Sequence, residues 1–237
     1  MVRSDGRKRR DQVREIRFRR RFVKSADSSV LAEMGNTRVL CVATVEERVP
    51  GFLRGTGSGW VTAEYSMLPR SSPRRIPRES RRGHLKGRTQ EIQRLIGRSL
   101  RQAVDLSALG ERTVVIDCDV IEADGGTRTA AVNGGFVALF AALKRMKLAE
   151  SCIVNMIGAV SLGILKGKVH LDLDYSEDFT AEADINVVMN EQGGIIEIQG
   201  TAEERPFSEE QLGRVIKSAR RGIKKIIKAQ KKVLRIR

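Results

Sequence analysis

Two aspartates and a short run of glycine, threonine and arginine are the residues of this chain whose types and spacing could act on a phosphodiester. In VIEADGGTRTAAVNGG, residues 120–135, a β-branched apolar run ends in Gly125 and Gly126, and a helical pattern begins within a few residues. Such a junction aims free backbone N–H groups and the positive end of a helix dipole at one place, which suits a phosphate. Gly126 permits close approach, the hydroxyls of Thr127 and Thr129 can donate, and Arg128 can fork onto two phosphate oxygens. A Gly-Gly turn before a helix is also ordinary punctuation, so this pattern alone does not establish a ligand. Arg88 stands at the start of a second helical pattern, where guanidinium and dipole would add, although its spacing alone favours a plain surface arginine. Asp178 and Asp184, six residues apart, flank a turn and a strand start and could hold Mg²⁺ through oxygen ligands. Aspartates also cap turns, and spacing alone favours that role. Asp172 and Asp174 alternate with Leu171 and Leu173 and read as the solvent-facing side of a strand.

The elements that must position these groups follow from periodicity. Residues 39–45 and 59–68 read as strands joined by a Gly-rich link, which suggests a hairpin or meander. Ile92, Leu95, Ile96, Leu100, Ala103 and Val104 recur at three and four, giving an amphipathic helix of about four turns from Thr89. Residues 113–121 form a strand, and 129–146 an Ala-rich helix apolar on most sides and therefore buried, with Gly134 and Gly135 admitting another backbone. Strands are expected at roughly 153–164, 168–175, 184–190 and 194–200, in a second meander. Ser208 with Gln211 three residues on is a capping box, and Phe207 can staple against Leu212. The helix it opens carries an apolar face and eleven Lys or Arg after Glu210. Both halves are strands followed by a helix, an α+β arrangement of two related halves packed in one domain over residues 1–237.

Charge narrows the partner. The 237 residues carry 44 Lys and Arg against 29 Asp and Glu, a net +15, which points to a polyanion and by default to RNA or DNA. Residues 70–88 hold seven Arg and one Lys, with Glu79 the only acid, in a segment broken by Pro73, Pro77 and Gly83. This long basic loop is expected to contact RNA through Arg70, Arg74, Arg75, Arg78, Arg81 and Arg82. Residues 1–24 carry eleven basic residues and could form a free arm, with order beginning near residue 28. No stretch approaches the length of a spanning helix and no apolar segment follows the basic N-terminus, so a cytoplasmic location is expected. Cys41, Cys118 and Cys152 lie far apart in apolar runs and read as reduced core residues. With only His84 and His170, a histidine-based nucleophilic triad has little support.

Several blocks, in order, resemble the bacterial ribonuclease PH family: RSDGR at 3–7, GRTQEIQRLIGRSLR at 87–101, DCDVIEADGGTRT at 117–129, and LDLDY followed by EAD and INVVM over 171–189. The resemblance implies the ribosomal protein S5 domain 2-like fold and phosphorolytic trimming of RNA 3′ ends, typically of tRNA precursors. It implies inorganic phosphate as co-substrate, held by Arg88, Gly126, Thr127 and Arg128, and catalytic, Mg²⁺-binding aspartates at Asp178 and Asp184. It further implies a homohexamer built as three dimers. AVNGGF at 131–136 and Phe179 depart from the family pattern. Two other readings fit the charge: a catalytically silent RNA-binding ring subunit, and a ribosome-associated structural protein. Neither explains the coexistence of phosphate-site and aspartate blocks.

Overall fold

Residues 3–203 and 205–236 are described by the computed structural model; the side chains of Ser80 and Arg82 lie outside that description. The first half of the chain forms a five-stranded sheet from β1 (Ile16–Arg20), β2 (Ser28–Met34), β3 (Thr37–Glu46), β4 (Trp60–Met67) and β5 (Thr113–Glu122), in the order β1-β2-β3-β5-β4. The hairpin expected between residues 39–45 and 59–68 does not form. β5 lies between β3 and β4, antiparallel to the first and parallel to the second. Alternation along a strand reports which face is buried and says nothing of its neighbour: β5 buries Val114, Ile116, Cys118 and Val120 on one face and carries Asp117 and Asp119 on the other, a pattern that does not reveal its central place. The parallel pairing is reached through α1 (Gly87–Arg101) and the one-turn α2 (Leu106–Leu109), a strand-helix-strand crossover.

The second sheet holds β6 (Ile157–Leu165), β7 (Lys168–Leu171), β8 (Ala183–Asn190) and β9 (Ile195–Ala202), in the order β7-β6-β8-β9. It is not a meander in chain order, because β8 pairs with β6 rather than with β7. The strand expected over 168–175 stops at Leu171: Asp172 takes a left-handed φ of 56°, and Asp174 then opens the short helix α5 (Tyr175–Phe179) with a capping box closed by Glu177. The strand expected from residue 153 starts at Ile157, after α4 (Ala149–Cys152).

Between the sheets runs α3 (Thr127–Arg145), packed on β2, β3 and β5 on one side and on β6 on the other, so sixteen of its nineteen residues are buried. Gly134 makes this possible, since a Cβ there would lie 2.7 Å from Ala32 Cβ and from Cys41 Sγ. The close approach is thus to side chains of β2 and β3 rather than to a backbone. The neighbouring Asn133 is fully buried and satisfied: its amide donates to the Ala159 carbonyl and accepts from the Ala159 N–H, both at 2.8 Å. β7 has ended before it reaches this part of β6, and a helical side chain supplies the missing pairing. The last helix, α6 (Glu209–Leu234), begins at the expected Ser208–Gln211 capping box and covers the second sheet with Val215, Ala219, Ile223, Ile226 and Ile227. One apolar core runs through both sheets, and the three cysteines lie in the buried interior with free thiols. No helix among the described residues is long and apolar enough to cross a membrane.

Candidate active site

The turn between β5 and α3 is the first part of the site. Gly125 and Gly126 both have positive φ, 75° and 65°, conformations that glycine adopts without steric cost. A Cβ on Gly125 would collide with the Leu173 carbonyl and the Asp174 backbone, so glycine here lets the first half of the chain press directly on the segment leading into α5. Other contacts fix the turn. Thr37 Oγ1 donates to the Gly125 carbonyl at 2.6 Å and accepts from Asp124 N–H at 3.0 Å, while Asp124 Oδ1 accepts from Tyr175 N–H at 3.1 Å. The N-terminus of the nineteen-residue α3 therefore sits beside α5 and its aspartate.

Thr127 and Arg128 occupy the first turn of α3. The Tyr65 hydroxyl donates to Thr127 Oγ1 at 2.9 Å, which leaves the Thr127 proton available to an incoming anion. Burial pushes the Tyr65 phenol up, so it stays a neutral donor. Arg128 is 9% exposed, and its Nη1 donates to Gln199 Oε1 of β9 at 2.6 Å and lies 3.5 Å from Glu91 Oε1 of α1. Thr129 departs from expectation: it is fully buried and its hydroxyl donates to the Gly126 carbonyl at 2.9 Å, a local cap rather than a group free for a ligand.

Asp178 lies on α5, and Asp184 near the start of β8. Loss of solvation, followed by the neighbouring charge of Asp184, pushes the Asp178 carboxyl up to about 6, with Arg88, Arg128 and Arg14 pulling it the other way. Asp184 is raised as well, chiefly by burial, against Arg128, an Asn186 hydrogen bond and Arg88. The two carboxylates and the two arginines singled out in the sequence thus share one electrostatic neighbourhood. Two part-buried carboxyls that both hold protons more tightly than usual, one of them because of the other's charge, form a site short of positive charge, which fits a divalent cation. Among the described residues no cluster of three or more His, Cys, Asp or Glu is set for a metal. Two carboxylates completed by waters and phosphate oxygens are nevertheless a common way to hold magnesium.

Arg88 is exposed in the first turn of α1. The loop before it is anchored by its single acid: Glu79 accepts from Thr89 Oγ1 at 2.8 Å and from Lys86 N–H at 3.2 Å, serving as the cap that Lys86 cannot provide. Arg70, Arg74, Arg75, Arg78 and Arg81 are all exposed, and none forms an ion pair among the described residues. Arg82 has its side chain outside the described set.

The sequence reading missed the support behind the turn. The N-terminal segment is not a free arm, and order does not wait for residue 28: Arg3, Arg7 and Arg14 are buried, and Arg10 O accepts from Leu171 N–H at 2.8 Å along the edge of β7. Arg14 donates to the Asp124 carbonyl and to the Gly125 carbonyl at 3.3 Å, and its Nη2 meets Asp172 Oδ1 at 2.7 Å. Asp172 and Asp174, expected to face solvent, are instead 0% and 4% exposed. Burial alone would raise the Asp172 pKa, but pairing and hydrogen bonding with Arg14 outweigh it and hold the carboxyl below its ordinary range. Glu177 takes Arg3 at 2.5 Å. The RSDGR block was the one signal available, and it carried no role from its residues alone.

Comparison with known proteins gives a consistent result. Residues 12–144 match the model of the 3′ exoribonuclease family, domain 1, and residues 155–222 that of domain 2 of the same family. The chain is 52% identical to ribonuclease PH of Corynebacterium kroppenstedtii over 237 residues, covering 98% of this chain and 93% of that one. It is 54% identical to ribonuclease PH of Brucella ovis over 226 residues, covering 93% and 95%. Among solved structures, rice (Oryza sativa) Rrp46 superposes with a TM-score of 0.80 at 18% identity, over 98% of this chain and 100% of that one. An Archaeoglobus fulgidus exosome with RNA bound to the active site does so at 0.76 and 19%, over 98% and 91%. These two likenesses speak for the fold. With both halves matched and the agreement with ribonuclease PH running nearly end to end, the chain belongs to the 3′ exoribonuclease family.

Proposed function

We infer that the chain shortens RNA from its 3′ end by phosphorolysis, and that the reaction takes place where the N-terminus of α3 meets α5. The observation that carries the site is the convergence of Arg88, Arg128 and the Gly126–Thr127 turn, all from the first half, on Asp178 and Asp184 from the second. Inorganic phosphate is held by the α3 N-terminus, the Thr127 hydroxyl and the two guanidinium groups. One of its oxygens attacks the last phosphodiester phosphorus, the 3′-oxygen of the preceding nucleotide leaves, and a nucleoside 5′-diphosphate is released. Two anions must meet, so placement and fixed positive charge supply most of the catalysis. Asp178 and Asp184 would hold Mg²⁺, which when bound supplies further positive charge to the phosphates. Asp178 would chiefly hold the metal, while Asp184 would either hold it or receive or deliver a proton at the leaving oxygen. The diphosphate product keeps the transfer potential of the broken bond, so the reaction also runs backwards and adds nucleotides.

The loop arginines Arg70, Arg74, Arg75, Arg78, Arg81 and Arg82 guide RNA toward Arg88, and tRNA precursors are the expected substrates in the cytoplasm. The two halves act as one domain, and six copies assemble as three dimers. Labelled RNA incubated with phosphate should give nucleoside diphosphates, and without it nothing. Asp184→Asn should lower turnover by about 10²–10⁴-fold while RNA affinity holds. Release of monophosphates without phosphate, or full turnover by the variant, would overturn this reading.

A further inference from the structure

A cavity of about 1240 Å³, walled by Ser176 and Glu177 of α5 but by neither Asp178 nor the β5–α3 turn, opens where three distant stretches of chain meet: the N-terminal segment, the β6–β7 turn and α6 around Lys217. Nine basic residues line it against three acids. Each of those acids already has a partner. Asp11 is paired by Arg9 at 2.7 Å and by Arg221 at 3.3 Å, Glu177 by Arg3, and Glu182 accepts from Gly167 N–H at 3.2 Å. Lys8, Arg10, Lys166, Lys168 and Lys217 are exposed and form no ion pair among the described residues. Five uncompensated cations around one concavity attract a polyanion by counterion release, whatever its sequence.

The β6–β7 turn adds an independent observation. It has two residues, Lys166 and Gly167, and both take left-handed φ, 48° and 69°. Asparagine, aspartate or glycine fills the first position of such a turn at little cost, whereas a lysine there is strained. Lys166 nevertheless adopts this conformation, as Arg21 and Lys147 do elsewhere in the chain, and here its cation lines the same concavity as Lys168 and Lys217.

We propose that this groove holds the sugar-phosphate backbone of the folded part of the RNA, while the single-stranded 3′ end occupies the site beside Asp178. His170, part-buried, is the one aromatic ring that lines the groove among the described residues, with no Phe, Tyr or Trp beside it, so platforms for a run of unpaired bases are few and backbone recognition is what its five free cations chiefly offer. The exposed aromatic rings of α5, Tyr175 and Phe179, do not line it, whereas Ser176 and Thr180 do. Groove and reaction centre are therefore separated by little more than the thickness of one helix, roughly 10 Å. One RNA can reach both, with its double-stranded body behind α5 and its tail in front. This rests on the aspartate site being the reaction centre.

The test compares a folded tRNA precursor with a short single-stranded RNA of the same 3′ sequence. The triple substitution Lys166→Glu, Lys168→Glu, Lys217→Glu should raise KM for the folded RNA at least about tenfold and lower the slope of log affinity against log salt by about three, while KM for the short RNA stays within about twofold. Lys166→Gly removes one cation and relieves the strained turn, so it cannot act by unfolding the protein; alone it should lower the slope by about one. Unchanged affinity for the folded RNA in both variants would overturn the proposal, as would equal losses on both RNAs. Failure of the reaction-centre reading shows differently, as an Asp184→Asn variant that still shortens the single-stranded RNA.

Discussion

Two arginine-rich stretches of this chain look alike on paper, but one sends three of its arginines into the interior, leaving Lys8, Arg9 and Arg10 outside, and the other sends none. In residues 3–14, Arg3, Arg7 and Arg14 are buried against Glu177, Asp5 and Asp172, and desolvation lowers the pKa of Arg7. In residues 70–81, Arg70, Arg74, Arg75, Arg78 and Arg81 stay in solvent without a carboxylate. The first stretch holds the β5–α3 turn from behind and the second leaves its charge open to something outside the molecule. What separates them is the availability of distant carboxylates, because an arginine leaves water only where an anion and carbonyl oxygens replace its hydration.

The contrast breaks most sharply at Arg14. Replacing it, as Arg14→Met, leaves Asp172 buried without its main partner and should cost about 3–5 kcal/mol in urea unfolding. The double variant Arg14→Met, Asp172→Asn, which removes both charges yet keeps a residue that tolerates the left-handed φ and an acceptor for the N–H of residue 14, should recover much of that. The same pair sets an acid limit. The folded pKa of Asp172 lies below its unfolded value of about 3.9, so its contribution is complete above that pH and is lost as pH falls through the lowered folded value. Melting curves of the wild type should therefore weaken below about pH 4, and those of the double variant should weaken less. A loss under 1 kcal/mol for Arg14→Met would erase the distinction between the two stretches.

A smaller and opposite effect is expected in the loop. Arg74→Ala, Arg75→Ala and Arg78→Ala together should leave stability within about 0.5 kcal/mol. RNA affinity should drop on the order of tenfold at moderate salt, with a salt slope shallower by about three. Smallest of all is Glu79→Ala, which removes the cap of α1 and should cost about 1 kcal/mol and speed proteolytic cleavage within residues 70–86. Stability loss from the loop triple variant larger than that from Glu79→Ala would mean that the exposed arginines are structural after all.

Local chemistry was legible in the sequence wherever neighbours in the chain determine it. The Gly126–Thr127–Arg128 junction, the largely buried α3 and the Ser208 capping box each depend on residues a few positions apart, and each formed near the expected place. What could not be read depends on partners far away. Arg14 and Asp172 are 158 positions apart, and an aspartate alternating with leucine looks the same whether it meets water or a buried guanidinium. The insertion of β5 between β3 and β4 is equally silent, since a strand's own pattern does not name its neighbour. Thr129 differs from Thr127 only in which way one helical turn points its hydroxyl.

The distance between Arg14 and Asp172 also sets a clock during synthesis. At roughly 5–20 residues per second, about 8–30 s separate the making of the arginine from that of its aspartate. Throughout that interval the segment around Arg10 has no β7 edge to lie against, and Arg14, behind the glycine turn, has no carboxylate to hold it there. A ribosome-bound chain that already contains Arg88, Gly126, Thr127 and Arg128 thus still lacks the anion that fixes Arg14 behind their turn, and Asp178 and Asp184 have yet to be made, so the site as a whole comes together only once most of the sequence has emerged.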